Sequence, residues 1–147
     1  MRMPAYTEAA GWDLYRAIVE QSQEAIIFAD REGLIRLWNR GAEVLFGYEA
    51  ASMLGRNLEV IVPEKFRRAH NEGFRKAVSA GQTRHEGRVL TTRACHKYGS
   101  RLYVDLSFGL LKDASGTVMG AYAIGRDATA RYMEQTALRL RAEGHTG

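Results

Sequence analysis

The chain has 147 residues and a net charge of +4, with 46% hydrophobic and 26% charged residues. That is the balance of one globular domain able to bury its own core. One cysteine, Cys95, excludes an internal disulfide and a cysteine-built zinc site. No signal-peptide apolar region opens the chain, and its apolar runs, such as Ala25 to Ala29, fall far short of the roughly 20 residues of a bilayer span. The expectation is a soluble, cytoplasmic protein without membrane contact. The basic residues are scattered and lack an aromatic–basic array, which reads as a solvated surface and not as a nucleic-acid footprint.

Residues 1–11 read as a flexible N-terminus. Over 12–21, Trp12, Tyr15, Ile18 and Val19 share one helical face, which predicts a flanking helix. Glu24 to Asp30 and Leu34 to Trp38 read as two strands around the turn Arg31-Glu32-Gly33, a hairpin. Asn39 is a suitable N-cap for a helix with Ala42, Leu45 and Phe46 inward, stopped by Gly47. Short helical turns follow over Glu49 to Ile61, broken by Gly55. A longer helix is predicted from Pro63 to Ala80 and is ended by Gly81.

The remainder reads as β. Arg84 to Cys95 is one extended run, and Tyr98-Gly99-Ser100 is a turn. Leu102, Val104, Leu106, Phe108 and Leu110 then alternate with smaller or polar residues at a period of two. After a turn at Asp113 to Gly116, Thr117 to Arg126 is the last strand. Asp127 and Thr129 are placed to cap a final helix with Met133, Ala137 and Leu140 on one face. Five strands, with the helices gathered between the second and third, predict an α+β fold built on one antiparallel sheet.

Several short motifs fall in a familiar order. The hairpin leading to Asn39-Arg40-Gly41-Ala42, then Phe46-Gly47-Tyr48 and Leu54-Gly55-Arg56, resembles the opening of the PAS superfamily. Lys97-Tyr98-Gly99-Ser100, Asp113-Ala114-Ser115-Gly116 and the closing Arg126-Asp127-Ala128-Thr129 are similar to its later hairpins and terminal signature, with Tyr98 in place of the usual Asp. The resemblance runs from Trp12 to Tyr132. It implies a PAS fold, a five-stranded antiparallel sheet with helices packed on one face. The core would span 22–128, and a C-terminal signalling helix and tail 129–147. It implies a sensor or interaction module that works as a homodimer with a downstream signalling protein.

Within the superfamily, flavin photosensors place a cysteine directly after the Asn of a segment like Gly55-Arg56-Asn57; this chain has Leu58 there. The segment from Val62 to His70 resembles the iron-binding helix of the oxygen-sensing heme kinases and heme-regulated phosphodiesterases. That likeness implies heme as cofactor, His70 as the iron ligand, and a diatomic gas or the iron redox state as the signal. It sets Leu106 and Phe108 over the distal side, with Leu90 where oxygen-sensing members carry an arginine and Arg88 where the phosphodiesterases carry a methionine ligand. Lys76 and Arg84 match positions that serve heme propionates. The residues themselves support an inward His70: Phe66, His70, Phe74 and Ala77 fall on one helical face, with Asn71, Glu72, Arg75 and Lys76 on the others. A core histidine in a ligand-free interaction module, or another small apolar ligand, stays open as an alternative. His85 and His96, near strand ends, and His145, in the tail, are assigned no role. No nucleotide loop, nucleophile elbow or carboxylate pair is present, so no catalytic function is expected.

Overall fold

The computed structural model describes residues 13–144, which leaves Trp12 and His145 outside the described residues. Its helices are α1 (Leu14–Gln21), α2 (Arg40–Phe46), α3 (Ala50–Met53), α4 (Arg67–Ala80) and α5 (Thr129–Gly144). Its strands are β1 (Ala25–Asp30), β2 (Ile35–Trp38), β3 (Val89–Cys95), β4 (Arg101–Lys112) and β5 (Val118–Asp127). The strands form one antiparallel sheet in the order β2-β1-β5-β4-β3. The first and last strands meet at its centre, and α2, α3 and α4 are carried by the long connection between the two hairpins. No helix among the described residues is long and apolar enough to cross a membrane.

The expected hairpins and the period of two in β4 are present. Leu102, Val104 and Leu106 are buried, and Phe108 packs against the same cluster. Ile27, Ile35, Trp38, Phe46, Met53 and Ile61 complete that core under α2 and α3. Opposite partners in an antiparallel ladder share a face, so buried Ala25, Ile27 and Ala29 place Gly125, Ala123 and Ala121 on the inner face of β5. The middle of the sheet is therefore low. Gly125 cannot be otherwise, because a β-carbon there would collide with the Asp105 carbonyl oxygen.

Two boundaries differ from the sequence expectation. The helix predicted from Pro63 is split: Pro63 is extended, Glu64–Phe66 forms one tight turn, and α4 begins at Arg67. Arg67 Nε donates to the carbonyls of Glu59 and Val62, both at 3.0 Å, which draws the start of α4 back onto the preceding turn. The strand predicted from Arg84 begins only at Val89. Gly87 takes a left-handed φ of 78°, and the Arg88 N–H turns back to the His85 carbonyl at 3.0 Å. Arg84 and Arg88 thus lie in a turn before the strand, and Arg88 does not share a strand face with Leu90.

Asn39 is the one buried polar residue among the described residues, 4% exposed. Its Oδ1 accepts from the Ile26 N–H at 2.8 Å and the Ala42 N–H at 3.0 Å. Its Nδ2 donates to the carbonyls of Val19 at 2.8 Å and Glu24 at 3.0 Å. One amide thus caps α2 and ties it to β1 and to the end of α1. Asn39→Ala removes the cap and leaves buried backbone groups unpaired, so it should cost about 2–4 kcal/mol by denaturant unfolding. A loss near zero would show that the amide is dispensable.

Candidate functional site

Helix α4 carries His70. It is thinly packed, with Val78 its only buried residue among fourteen. His70, Asn71, Phe74 and Ala77 are half-buried on its inner side, and the His70 and Phe74 rings stack with centroids 6.5 Å apart. Phe66 lies before the helix and is 44% exposed, so it does not extend this face as expected.

His70 borders a cavity of about 300 Å³, the low end of the range for small-molecule sites. The cavity opens between α4 and the β1–β2 turn. Phe74 and Leu58 give it apolar walls; Arg31, Glu32, Asn57, Asn71 and Arg75 give it polar ones. The His70 Nδ1 is shielded from solvent and has no hydrogen-bond partner. Burial pushes the imidazole pKa below its ordinary value, against the opposing pull of Asn71 and Glu59. The ring is therefore neutral at pH 7, the form that can ligate a metal ion. Among the described residues no group of three or more His, Cys, Asp or Glu side chains is placed to hold a metal.

Of the site residues expected from the sequence, the cavity gathers only His70. Leu106 lies in the core, with Leu90 opposite it on β3 and Phe108 packed nearby. Lys76 is exposed on α4, and Arg84 and Arg88 are exposed in the turn before β3. Asn71 and Arg75, assigned from the helical wheel to outer faces, line the cavity instead. Arg31, Glu32, Asn57 and Leu58 were not singled out as cavity residues, because only the tertiary approach of the hairpin turn to α4 brings them there. His85 is exposed, and His96 Nδ1 accepts from the Tyr98 N–H at 3.2 Å, a local turn contact.

The opposite side of the sheet meets α5. Arg131 holds Asp105 through two bonds of 2.6 and 2.8 Å, and Thr91 Oγ1 donates to the same carboxylate at 2.6 Å. The Tyr103 and Tyr132 rings stack at 3.7 Å. Asp127 Oδ1 accepts from the Thr129 N–H at 2.8 Å at the start of α5, while the Thr129 hydroxyl accepts from the Tyr103 N–H at 3.0 Å.

Residues 13–128 match the PAS fold family model, and the chain belongs to that family. It is a PAS sensory domain. It is similar to the oxygen sensor protein DosP of Escherichia coli, 27% identical over 111 residues, covering 76% of this chain and 14% of that protein. It is also similar to the sensor protein FixL of Bradyrhizobium diazoefficiens, 34% identical over 56 residues, covering 38% of this chain and 11% of that one. The chain thus spans less than a fifth of the length of these curated relatives. A PAS domain from Colwellia psychrerythraea superposes with a TM-score of 0.68 at 22% identity, covering 79% of this chain and 95% of that one. An RNA-binding light-oxygen-voltage receptor gives 0.73 at 23% identity, covering 96% and 39%. At these identities the two structures speak for the fold alone.

The lowered His70 pKa has a sign that can be checked. The unfolded chain takes up the imidazole proton first, near its ordinary pKa of about 6.5. The contribution of this group is thus present above that pH and is lost as pH falls toward the depressed folded value. The ligand-free protein should lose melting temperature between pH 7 and pH 5, and His70→Leu should lose less over the same interval. An identical pH slope in both proteins would show that His70 is not buried in this way.

Proposed function

We propose that this PAS domain binds heme through His70 and senses a diatomic gas or the redox state of the iron. The observation that carries the reading is the solvent-shielded, unpartnered His70 Nδ1 on a neutral imidazole beside a cavity. A buried polar atom without a partner is uncommon and calls for an explanation. The likeness of the Val62 to His70 segment to the iron-binding helix of heme PAS domains points the same way.

Part of the site suits the group. His70 offers a neutral imidazole, and Phe74 and Leu58 offer apolar walls. Ala121, Ala123 and Gly125 keep the sheet low in the middle. The cavity is small for a macrocycle, so the site would open by an outward shift of α4. With one buried residue, that helix has little apolar contact to lose. Heme would supply an iron able to bind O₂, CO or NO. His70 would hold and orient it from α4, and Leu90, Leu106 and Phe108 would exclude water from the other side. That wall offers no side-chain hydrogen-bond donor, which favours CO over the more polarised O₂. Arg88 would reach the ligand only if its turn folded inward. Output would pass through α1 and α5 to a second copy and on to a downstream signalling protein, in a cytoplasmic setting.

A second reading, that of a ligand-free dimerisation module, rests on exposed apolar side chains. Neither α1 nor α5 has a buried residue, while Tyr15, Ile18, Met133, Leu138 and Leu140 face solvent.

Absorption spectra after heme supplementation separate the two readings. The heme reading expects a sharp Soret band that shifts on reduction and with CO, and that is lost or altered in His70→Ala. A featureless visible spectrum, with dimerisation intact, would leave the interaction module.

A further inference from the structure

We infer that the free edge of β3 is the surface through which two copies of this chain pair, antiparallel and strand to strand, so that two five-stranded sheets become one. This goes beyond the heme reading and holds with or without a ligand. It moves the contact between copies from α1 and α5 to a strand.

The sheet has two edges, β2 and β3. At β2 the chain covers its own edge: the Ile35 N–H donates to the Arg56 carbonyl and the Gly55 N–H to the Ile35 carbonyl, both at 2.8 Å. At β3 the His96 N–H bonds the Ser100 carbonyl at 3.1 Å. The alternation of an antiparallel ladder then turns the N–H and C=O groups of Leu90, Thr92 and Ala94 toward β4, and those of Val89, Thr91, Arg93 and Cys95 outward. Among the described residues no loop, cap or turn bonds these outward groups. The usual defences of an open edge are also missing. The strand runs for seven residues, keeps one unbroken register with β4, has no proline and carries the β-branched Val89, Thr91 and Thr92. Val89 is 68% exposed.

The occupant follows from the register. Outward groups must meet outward groups, and the antiparallel register that engages all four residues sets Thr92 against the Thr92 of a second copy, on the two-fold axis. Val89 then lies opposite Cys95 of the second copy and Thr91 opposite its Arg93, each pair exchanging both backbone bonds, about eight in all. Leu90 faces Ala94, a large side chain against a small one. The single charge of the strand meets a threonine, and like charges do not oppose each other. The next register to one side sets Arg93 against Arg93, and the next to the other side leaves Cys95 unpaired. Pairing about a two-fold axis consumes the open edge of both copies, and the covered β2 edge stops further addition, so the assembly closes at a dimer.

The test is sedimentation equilibrium on the full chain, free of heme, with folding checked by far-UV circular dichroism. The wild type should be a dimer. Arg93→Pro removes an outward N–H that a single copy does not use, so it should fold as the wild type does and weaken the dimer roughly tenfold or more. Ile18→Glu with Leu138→Glu, on α1 and α5, should leave the dimer intact. Thr92→Cys with Cys95→Ser puts one thiol on each side of the axis in a non-hydrogen-bonded pair, about 4.5 Å between α-carbons and within disulfide reach. Its oxidation should give a covalent dimer on a non-reducing gel; should Arg93→Pro fail to fold, this cross-link decides alone. A dimer that survives Arg93→Pro, or the absence of the cross-link, would overturn the strand contact. Loss of the dimer in the α1 and α5 variant alone would assign the interface to those helices. A monomeric wild type would overturn any pairing of copies, and assemblies that keep growing with concentration would overturn the closed dimer. Heme binding, read from the Soret band, is independent of all these outcomes.

Discussion

The Asn39 side chain is the constraint on which the rest of this architecture turns. Its amide meets five backbone groups from α1 and its end, the approach to β1, β1 itself and α2, in a place that water does not reach. A buried carboxamide is stable only when both its oxygen and its nitrogen are occupied. Here the satisfied amide sets where the first hairpin ends and how α2 leaves it. Gly41 adds a steric condition at the same corner, since a β-carbon there would collide with the Glu24 carbonyl. With α2 pressed against β1, Trp38, Phe46 and Met53 pack inward and close one half of the inner sheet face.

The other half is closed much less firmly. The inner face of β5 carries alanines and a glycine, and the helix above it is held mainly at its ends. Arg67 ties the start of α4 to the Glu59–Val62 turn, and Val78 packs near its close. The dense half gives the domain its stability. The loose half gives it a place where a helix can move without dismantling the core. A binding site built into the tight half would require breaking well-packed contacts; in the loose half it needs only the displacement of a few.

Much of this was legible in the sequence because it is local. The hairpin turn, the Asn39 cap, the Gly47 and Gly81 stops and the alternation of Leu102, Val104 and Leu106 depend on neighbours a few residues apart. Those were also the motifs that carried the family resemblance. The inward placement of the His70 ring was legible for the same reason, as a polar ring on an apolar stripe. What escaped depended on distance in the chain or on one backbone torsion. Gly87 turns the chain before β3, and with it Arg84 and Arg88 leave the strand. The helical wheel puts Arg75 and Asn71 outside because it assumes a flat partner, whereas the cavity wraps around α4 to meet the turn at Arg31. The Arg131–Asp105–Thr91 cluster joins α5 to two strands, and no spacing rule relates these three positions.

The attachment of α5 has a mechanical meaning. In β4, Asp105 on the outer face adjoins Leu106 on the inner one, so any rotation of the strand that moves Leu106 also swings the carboxylate that Arg131 grips in two places. The stacked Tyr103 and Tyr132 rings limit slippage at the same joint. The helix clamped there has 16 residues and is thus about 24 Å long. A tilt of about 5° at its base would carry its far end roughly 2 Å, enough to change which side chains meet across a helix pair. The joint works as a gear with a long arm, turning a small twist of one strand into a displacement that a neighbouring helix can register.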